Sequence, residues 1–178
     1  MQKRGRSLEN VKTVTTASML VAMSVVIGIF CKTYLNFGMG LFRITFENLP
    51  ILMAGILYGP VVGGLVGAAS DLVSYLMSGQ VYPLNLIVSF GAIMVGAVSG
   101  TVAKYLVKKR GCAQIILSAS AAHIVGSMII KPIGLYQFYG IAVLWRIPLY
   151  LVIAPLEIFL LCLLFGRDNF RRVVGRKE

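Results

Sequence analysis

Charged residues are scarce in this chain of 178 residues, at 13% of the sequence. A typical soluble domain has about 25%. Hydrophobic residues make up 58%, and they fall in stretches that approach the roughly 20 residues a helix needs to cross the hydrocarbon core of a bilayer. A water-soluble fold could not bury this much apolar surface, so we predict an integral membrane protein. Helices are the expected spanning elements, because lipid offers no partner to an exposed backbone amide.

Motifs for several kinds of chemistry are also missing. No G-x-x-x-x-G-K-[ST] loop occurs, so we predict that the chain does not hydrolyse ATP by itself. The single histidine, His123, has no second metal ligand at i+3 or i+4 and is interpreted as a packed, hydrogen-bonded residue. The three cysteines lack metal-ligand spacing and are interpreted as reduced packing residues. We therefore predict neither a metal site nor a cofactor.

The basic residues are clustered. Thirteen of the 17 lie in residues 3–12, 104–110 and 167–177, beside the apolar runs. The positive-inside rule produces this pattern, so we predict that both termini are cytoplasmic. Nucleic-acid binding is disfavoured, because no basic segment is built into a folded soluble face. A cleaved signal peptide is also disfavoured, since the apolar run 14–31 is long and lacks a convincing small-x-small site.

The apolar runs predict an all-α membrane protein, a bundle of six transmembrane helices that forms a single domain over residues 1–178. The helices are expected at residues 11–31, 47–58, 61–77, 84–106, 112–130 and 145–165. The second is short for a crossing, and Gly59-Pro60 should form a tight corner after it, because proline starts helices but breaks their interiors. Small residues at helical spacing, such as Gly63 with Gly67, predict close backbone packing between the third and fourth helices.

This topology places the other four basic residues on the outer side, among aromatic and amide side chains of the same loops. Such a group suits a flat, hydrogen-bonding, anionic small molecule, because rings stack on aromatic side chains and carboxylates pair with cations. The predicted substrate-binding residues are Tyr34, Arg43, Tyr82, Asn85, Lys131, Tyr136, Gln137 and Arg146. Two simpler interpretations stay open: interfacial aromatic and lysine residues need no ligand, and Arg43 and Glu47 could neutralise each other across one helical turn.

Asp71 and Glu157 are the only acidic residues expected deep in the membrane. Ionisable groups at that depth cost a few kcal/mol on insertion scales, so each needs a function or a firm partner. A small intramembrane enzyme that uses Asp71 or Glu157 is therefore an alternative function, and a structural role for both is equally open. A membrane scaffold that binds no ligand is a third hypothesis.

Several stretches resemble one family, the substrate-binding S components of energy-coupling factor vitamin transporters. They are Arg43-Ile-Thr-Phe-Glu-Asn-Leu-Pro50, Ala54-Gly55-Ile-Leu-Tyr-Gly59-Pro60 and Ala69-Ser-Asp71. Ser18-Met-Leu-Val-Ala22 is similar to the small-x-x-x-small motif that contacts the coupling subunit in this family. Trp145-Arg146-Ile-Pro148 and Ala154-Pro155-Leu-Glu157 resemble the folate branch. The Tyr82-Pro-Leu-Asn85 stretch departs from the aromatic-Pro-Gly-Phe-Thr sequence often found there, so riboflavin or thiamine stays open as the ligand.

The resemblance implies a bundle without catalytic activity in the bacterial plasma membrane. Such a subunit captures a vitamin from outside, in a pocket capped by the first loop, while a transmembrane coupling subunit and two ATPase subunits supply energy. By position, we expect Arg146 and Lys131 to pair with the glutamate carboxylates of folate. Tyr82 and Asn85 would hold its ring, and Arg43 would orient the first loop. Ser18 and Ala22 are the expected partner-binding residues.

Overall fold

The computed structural model describes residues 2–37, 42–77, 85–107 and 111–166. Its helices are α1 Gln2–Tyr34, α2 Asn48–Tyr58, α3 Pro60–Met77, α4 Leu86–Thr101, α5 Cys112–Ala122, α6 Lys131–Tyr139 and α7 Arg146–Gly166. Two π-helical segments and one 3₁₀ segment extend or connect these α-helices. A π-helical turn, Val102–Leu106, lengthens α4, and the π-helical segment His123–Ile130 joins α5 to α6. A 3₁₀ segment, Gly140–Trp145, leads from α6 to α7.

The fifth predicted helix is longer than residues 112–130, since α5, the π-helical segment and α6 form one continuous rod to Tyr139. Pro132 does not break this rod. It is near the start of α6, directly after the π-helical segment, where the Lys131 N–H donates to the Gly126 carbonyl instead of following the α-helical pattern. A proline lacks an N–H, and it is tolerated where the regular ladder is already interrupted. Lys131 therefore lies within the rod rather than beyond its end.

A small β-hairpin is present in the first loop, between the first and second predicted helices. Strands β1, Asn36–Phe37, and β2, Phe42–Arg43, pair antiparallel, with Asn36 opposite Arg43. The Ile44 N–H donates to the Leu35 carbonyl at 3.2 Å and closes its base. The prediction of an all-α protein thus holds apart from this hairpin.

Within the described ranges, five helical stretches are long and apolar enough to cross a membrane. They are Val11–Tyr34, Pro60–Met77, Leu86–Leu106, Cys112–Phe138 and Gly140–Phe165. Helix α2 has 11 residues, and a straight crossing needs roughly 20. Large apolar side chains such as Val26, Leu65 and Phe159 are more than 60% exposed, as expected for surfaces that face lipid.

The predicted close packing of glycine-rich helices is present among α2, α3 and α4. A Cβ atom added to Gly63 would collide with the carbonyl oxygen of Gly96 and lie 2.6 Å from the Cα atom of Gly55. The corner between α2 and α3 is formed by Gly59, whose φ of 94° suits glycine, and by Pro60, which starts α3. We call Gly55, Gly63, Gly67, Gly96 and Gly100 the glycine wall, because here the backbones themselves are in contact.

Candidate functional site

A polar segment follows the hairpin and leads into α2. It contains Thr45, Glu47 and Asn48, of which Thr45 and Asn48 are buried. Helix α1 fixes its backbone, since the Ser24 hydroxyl donates to the Glu47 carbonyl at 2.7 Å. The segment can approach α1 closely because position 28 is a glycine, and a Cβ atom there would lie 3.0 Å from Glu47 Oε2.

Lys131 reaches this segment from α6. Its ammonium nitrogen donates to Asn48 Oδ1 at 3.0 Å and lies 3.9 Å from Glu47 Oε1. The lysine is only 5% exposed, and its aliphatic stem packs over Gly91, where a Cβ atom would lie 2.8 Å from Lys131 Cγ. We call Thr45, Glu47, Asn48 and Lys131 the polar cluster. It joins the base of the first loop to the rod formed by α5 and α6.

One cation near Glu47 was not suggested by sequence spacing. Lys131 lies 3.9 Å from Glu47 Oε1, whereas Arg43 belongs to β2 and so is not one helical turn from Glu47 on a common helix. The pairing with Lys131 was missed because Asn48 and Lys131 are 83 residues apart. An available signal was the scarcity of acidic residues, since a buried lysine in this chain has few possible counter-ions.

Two side-chain groups of the polar cluster have no hydrogen-bond partner among the described residues. They are the Thr45 hydroxyl and the Asn48 amide nitrogen, Nδ2. Their residues are 2% and 0% exposed, respectively. A buried polar group without a partner costs about 1–3 kcal/mol. The Lys131 side of the cluster is therefore hydrogen-bonded, while these two groups can still take a partner.

Asn85 is placed at the same end of the bundle, where it holds helices together. Its Oδ1 accepts from the backbone N–H groups of Ile87 and Val88, at 3.0 and 3.4 Å, and so caps α4. Its Nδ2 donates to the carbonyl of Gly134 in α6 at 2.6 Å. Both ends of this amide are used within the chain, which gives Asn85 a structural contact in addition to its predicted place in a pocket.

Of the other predicted binding residues, three have described side chains, and all three are exposed. Tyr136 and Gln137 are exposed on α6, and Tyr34 is exposed at the end of α1, with its ring 4.8 Å from that of Phe30. Arg43 lies in β2 and Arg146 is the first residue of α7, while their side chains are outside the described part of the structure. Tyr82 is also outside the described residues. The structure therefore gathers Asn85 and Lys131 at one end of the bundle, close to the helix starts of α4 and α2.

A second buried polar contact joins the α5–α6 rod to α7. His123 Nε2 and Glu157 Oε2 are 2.9 Å apart, and their side chains are 1% and 0% exposed. The other ring nitrogen of His123 lies 3.4 Å from the Ser127 hydroxyl. Glu157 thus has His123 as its neighbour, a partner that sequence spacing did not reveal. His123 is a packed residue, as predicted.

Asp71, the other deep carboxylate, accepts a hydrogen bond from the Ser89 hydroxyl at 2.5 Å, which links α3 to α4. Asp71 and Glu157 therefore each contact a side chain on another helical segment. Among the described residues no group of three or more His, Cys, Asp or Glu side chains could hold a metal ion. These contacts give both carboxylates structural partners.

Ser18 and Ala22 lie on the exposed face of α1. The Ser18 hydroxyl donates back to the Val14 carbonyl at 3.0 Å, within its own helix. Its polarity is thereby satisfied, and Ser18 and Ala22 together form a row of two small side chains one helical turn apart. Such a face can be approached closely by another membrane helix.

Comparison with known proteins gives a family. A family model described as ECF transporter, substrate-specific component, matches residues 12–170. Among curated proteins, an uncharacterized protein of Mycoplasma pneumoniae, the MG098 homolog, is 29% identical over 104 residues, or 54% of this chain. The folate transporter FolT of Clostridium novyi is 29% identical over 79 residues, or 43% of this chain. The matches span only 21% and 46% of those two relatives.

Two solved structures share the fold. One is a crystal structure of FolT bound with folic acid, which is 20% identical and has a TM-score of 0.67, with 88% of this chain and 96% of that chain covered. The other is an S component of a bacterial ECF transporter, which is 23% identical and has a TM-score of 0.64, with 94% and 99% covered.

Family membership and the long apolar helices together make this an integral membrane protein, and the family consists of transporter subunits rather than enzymes. The matched region leaves out little beyond the two termini. The chain belongs to the family of substrate-specific components of ECF transporters.

Proposed function

We propose that this chain is the high-affinity vitamin-binding subunit of an ATP-driven importer, and that its ligand is folate. The observation that carries the proposal is the family match over residues 12–170. The similarity to the Clostridium novyi folate transporter favours folate within the class. Energy comes from a separate coupling subunit and two ATPase subunits, which accords with the absence of a phosphate-binding loop from the sequence.

The proposed arrangement in the membrane has six crossings in a single domain, with both termini in the cytoplasm. Five crossings correspond to the long apolar helices, and α2 is the sixth, shortened because its polar start at Asn48 lies inside the protein. The basic clusters at 3–12, 104–110 and 167–177 then share the cytoplasmic side. Fusions of a periplasmic reporter enzyme to each terminus should be inactive, and an active fusion would reverse the topology.

The proposed ligand pocket lies at the hairpin end of the bundle. Arg43 and Arg146 bind the carboxylates of the ligand, and Tyr34, Tyr82, Tyr136 and Gln137 supply ring and amide contacts. Lys131 and Asn85 already have partners inside the chain, so we assign them to the floor of this pocket. The hairpin caps it, and the exposed face of α1 around Ser18 and Ala22 binds the coupling subunit.

The test is binding by the purified chain in detergent. We expect folic acid to raise the melting temperature, because a ligand that binds only the native state stabilises it, and riboflavin and thiamine to have little effect. Calorimetry should then show weaker folic acid binding by Arg146→Ala. A rise with riboflavin or thiamine alone would move the ligand to another vitamin. No rise with any of the three would contradict the proposed function.

A further inference from the structure

The orientation of the Asn48 side-chain amide follows from the hydrogen-bonding capacity of Lys131. The Lys131 ammonium can only donate hydrogen bonds, so the atom of Asn48 that faces it at 3.0 Å must be the amide oxygen. The amide nitrogen therefore points away from Lys131. It can only donate, and it finds no acceptor among the described residues. Lys131 thus acts as a positioning residue that fixes Asn48 as a donor.

The Thr45 hydroxyl is the second such group. It has no partner within the described ranges, and it lies three residues before Asn48. Three residues span at most about 11 Å even when fully extended, and the two residues lie closer together than that because Glu47 between them has helical backbone angles, φ −62° and ψ −22°. The two belong to a single short segment that Ser24 and Lys131 hold in place.

The charges of the cluster decide which acceptor fits. Lys131 lies 3.9 Å from Glu47 Oε1, so its charge is already balanced. A ligand carboxylate placed here would add a second negative charge beside Glu47, which like-charge repulsion disfavours. Neutral acceptors, such as a carbonyl oxygen and a ring nitrogen, satisfy both donors without that penalty.

From this geometry we infer that Thr45 and Asn48 are specificity-determining residues that bind the neutral acceptor edge of a heteroaromatic ring, with Lys131 positioning Asn48. The inference rests on the proposed function and adds an orientation to it. The ring enters first, against the start of α2, and the carboxylates stay outward near the two arginines. A ring with a carbonyl oxygen next to an unprotonated ring nitrogen is the chemical class that this subsite takes.

Access to the subsite requires movement, because Thr45 and Asn48 are closed off from solvent. The described part of the hairpin that precedes them has two residue pairs, and an isolated two-stranded hairpin is marginally stable at best. A shift of the hairpin is therefore the least costly route by which a ring could reach the two donors.

The experiment uses the full chain in detergent and three probes: folic acid, its pterin ring alone, and p-aminobenzoylglutamate, which lacks the ring. Asn48→Asp keeps an oxygen for Lys131 but replaces the donor by a second oxygen. We expect its affinity for folic acid and pterin to fall about tenfold or more, as one lost hydrogen bond predicts, while p-aminobenzoylglutamate binding is unchanged. Its melting temperature without ligand should fall, because the new carboxylate is buried beside Glu47, so binding is measured at temperatures below the melting transition of this variant.

Thr45 provides a second, independent pair of variants. Thr45→Val removes the hydroxyl at nearly constant volume and should weaken folic acid and pterin binding, whereas Thr45→Ser keeps the hydroxyl and should bind like the wild type. This pair decides the question if Asn48→Asp fails to fold. Wild-type affinity for folic acid in both Asn48→Asp and Thr45→Val would overturn the inference, since buried water would then be what satisfies the donors.

Failure of the inference is distinct from failure of the proposed function. A wild-type chain that binds none of folic acid, riboflavin and thiamine refutes the function and the inference with it. A wild-type chain that binds folic acid, with variants that bind it equally well, refutes only the inference. If riboflavin is the ligand, the same variants are tested with it, because its ring also carries a carbonyl oxygen beside a ring nitrogen.

Discussion

The glycine wall and the polar cluster hold the same bundle together by opposite means. In the glycine wall, helices α2, α3 and α4 touch through their backbones, and nothing larger than hydrogen fits at Gly63 or Gly96. In the polar cluster, the side chains of Glu47, Asn48 and Lys131 fill the space between helices with hydrogen bonds and balanced charge. Close backbone packing permits one arrangement only, whereas side chains can exchange partners. A rigid wall and a more adaptable polar end can therefore coexist in one small bundle.

The largest expected effect is on the glycine wall. Gly63→Ala places a methyl group against backbone atoms of α2 and α4, which cannot rotate away as a side chain can. We expect a loss of about 3 kcal/mol or more in the free energy of unfolding, at the upper end for overpacked sites, measured by denaturation in mixed micelles. The matched control is Gly64→Ala, whose added methyl group would meet Ile93 at an ordinary 3.5 Å. Equal stability of the two variants would contradict backbone contact at Gly63.

The next effect concerns the charge balance of the polar cluster. Lys131→Met removes the ammonium group that lies 3.9 Å from the Glu47 carboxylate, and breaking a fully buried ion pair costs about 3–5 kcal/mol. Because the Glu47 side chain is 21% exposed, we expect a smaller loss in the free energy of unfolding, about 2 kcal/mol. Adding Glu47→Gln should restore part of the loss. Lys12→Met, at an exposed position on α1, is the control and should change stability little. If the double variant is no more stable than Lys131→Met, the lysine does not act through Glu47.

These two regions also differ in how far the sequence predicted them. The glycine wall follows from local spacing, because Gly63 and Gly67 on one helix already imply a face that another backbone can approach. The contacts of Lys131 with Asn48 and of His123 with Glu157 depend on the register between distant helices, which no local pattern encodes. The continuation of the fifth predicted helix beyond residue 130, as α6, was missed for a related reason. A proline normally signals a helix end, and only the π-helical segment before Pro132 makes it acceptable.

A smaller loss of stability is expected at the buried polar contact between His123 and Glu157. Glu157→Gln keeps the size of the side chain and an oxygen near His123 Nε2, so we expect a loss of about 1 kcal/mol. Glu157→Leu leaves His123 without this neighbour and should lose about 2 kcal/mol. Unfolding in mixed micelles measures both. Folic acid affinity should change in neither variant, and a selective loss of affinity with unchanged stability would instead place Glu157 in the ligand site.

The smallest effect on stability is expected on α1, where small residues would contact a partner subunit instead of another helix of this chain. Ser18 and Ala22 are exposed, and a substitution at an exposed position usually changes stability by less than about 0.5 kcal/mol. Ala22→Leu should therefore leave the melting temperature and folic acid binding of the isolated chain unchanged. It should weaken binding to the purified complex of coupling and ATPase subunits, because the added bulk separates helices that small residues bring together. Val152→Leu, on the exposed side of α7, is the matched control and should assemble normally. If both variants assemble equally well, the partner contacts another face, and close packing through small residues belongs only to the glycine wall.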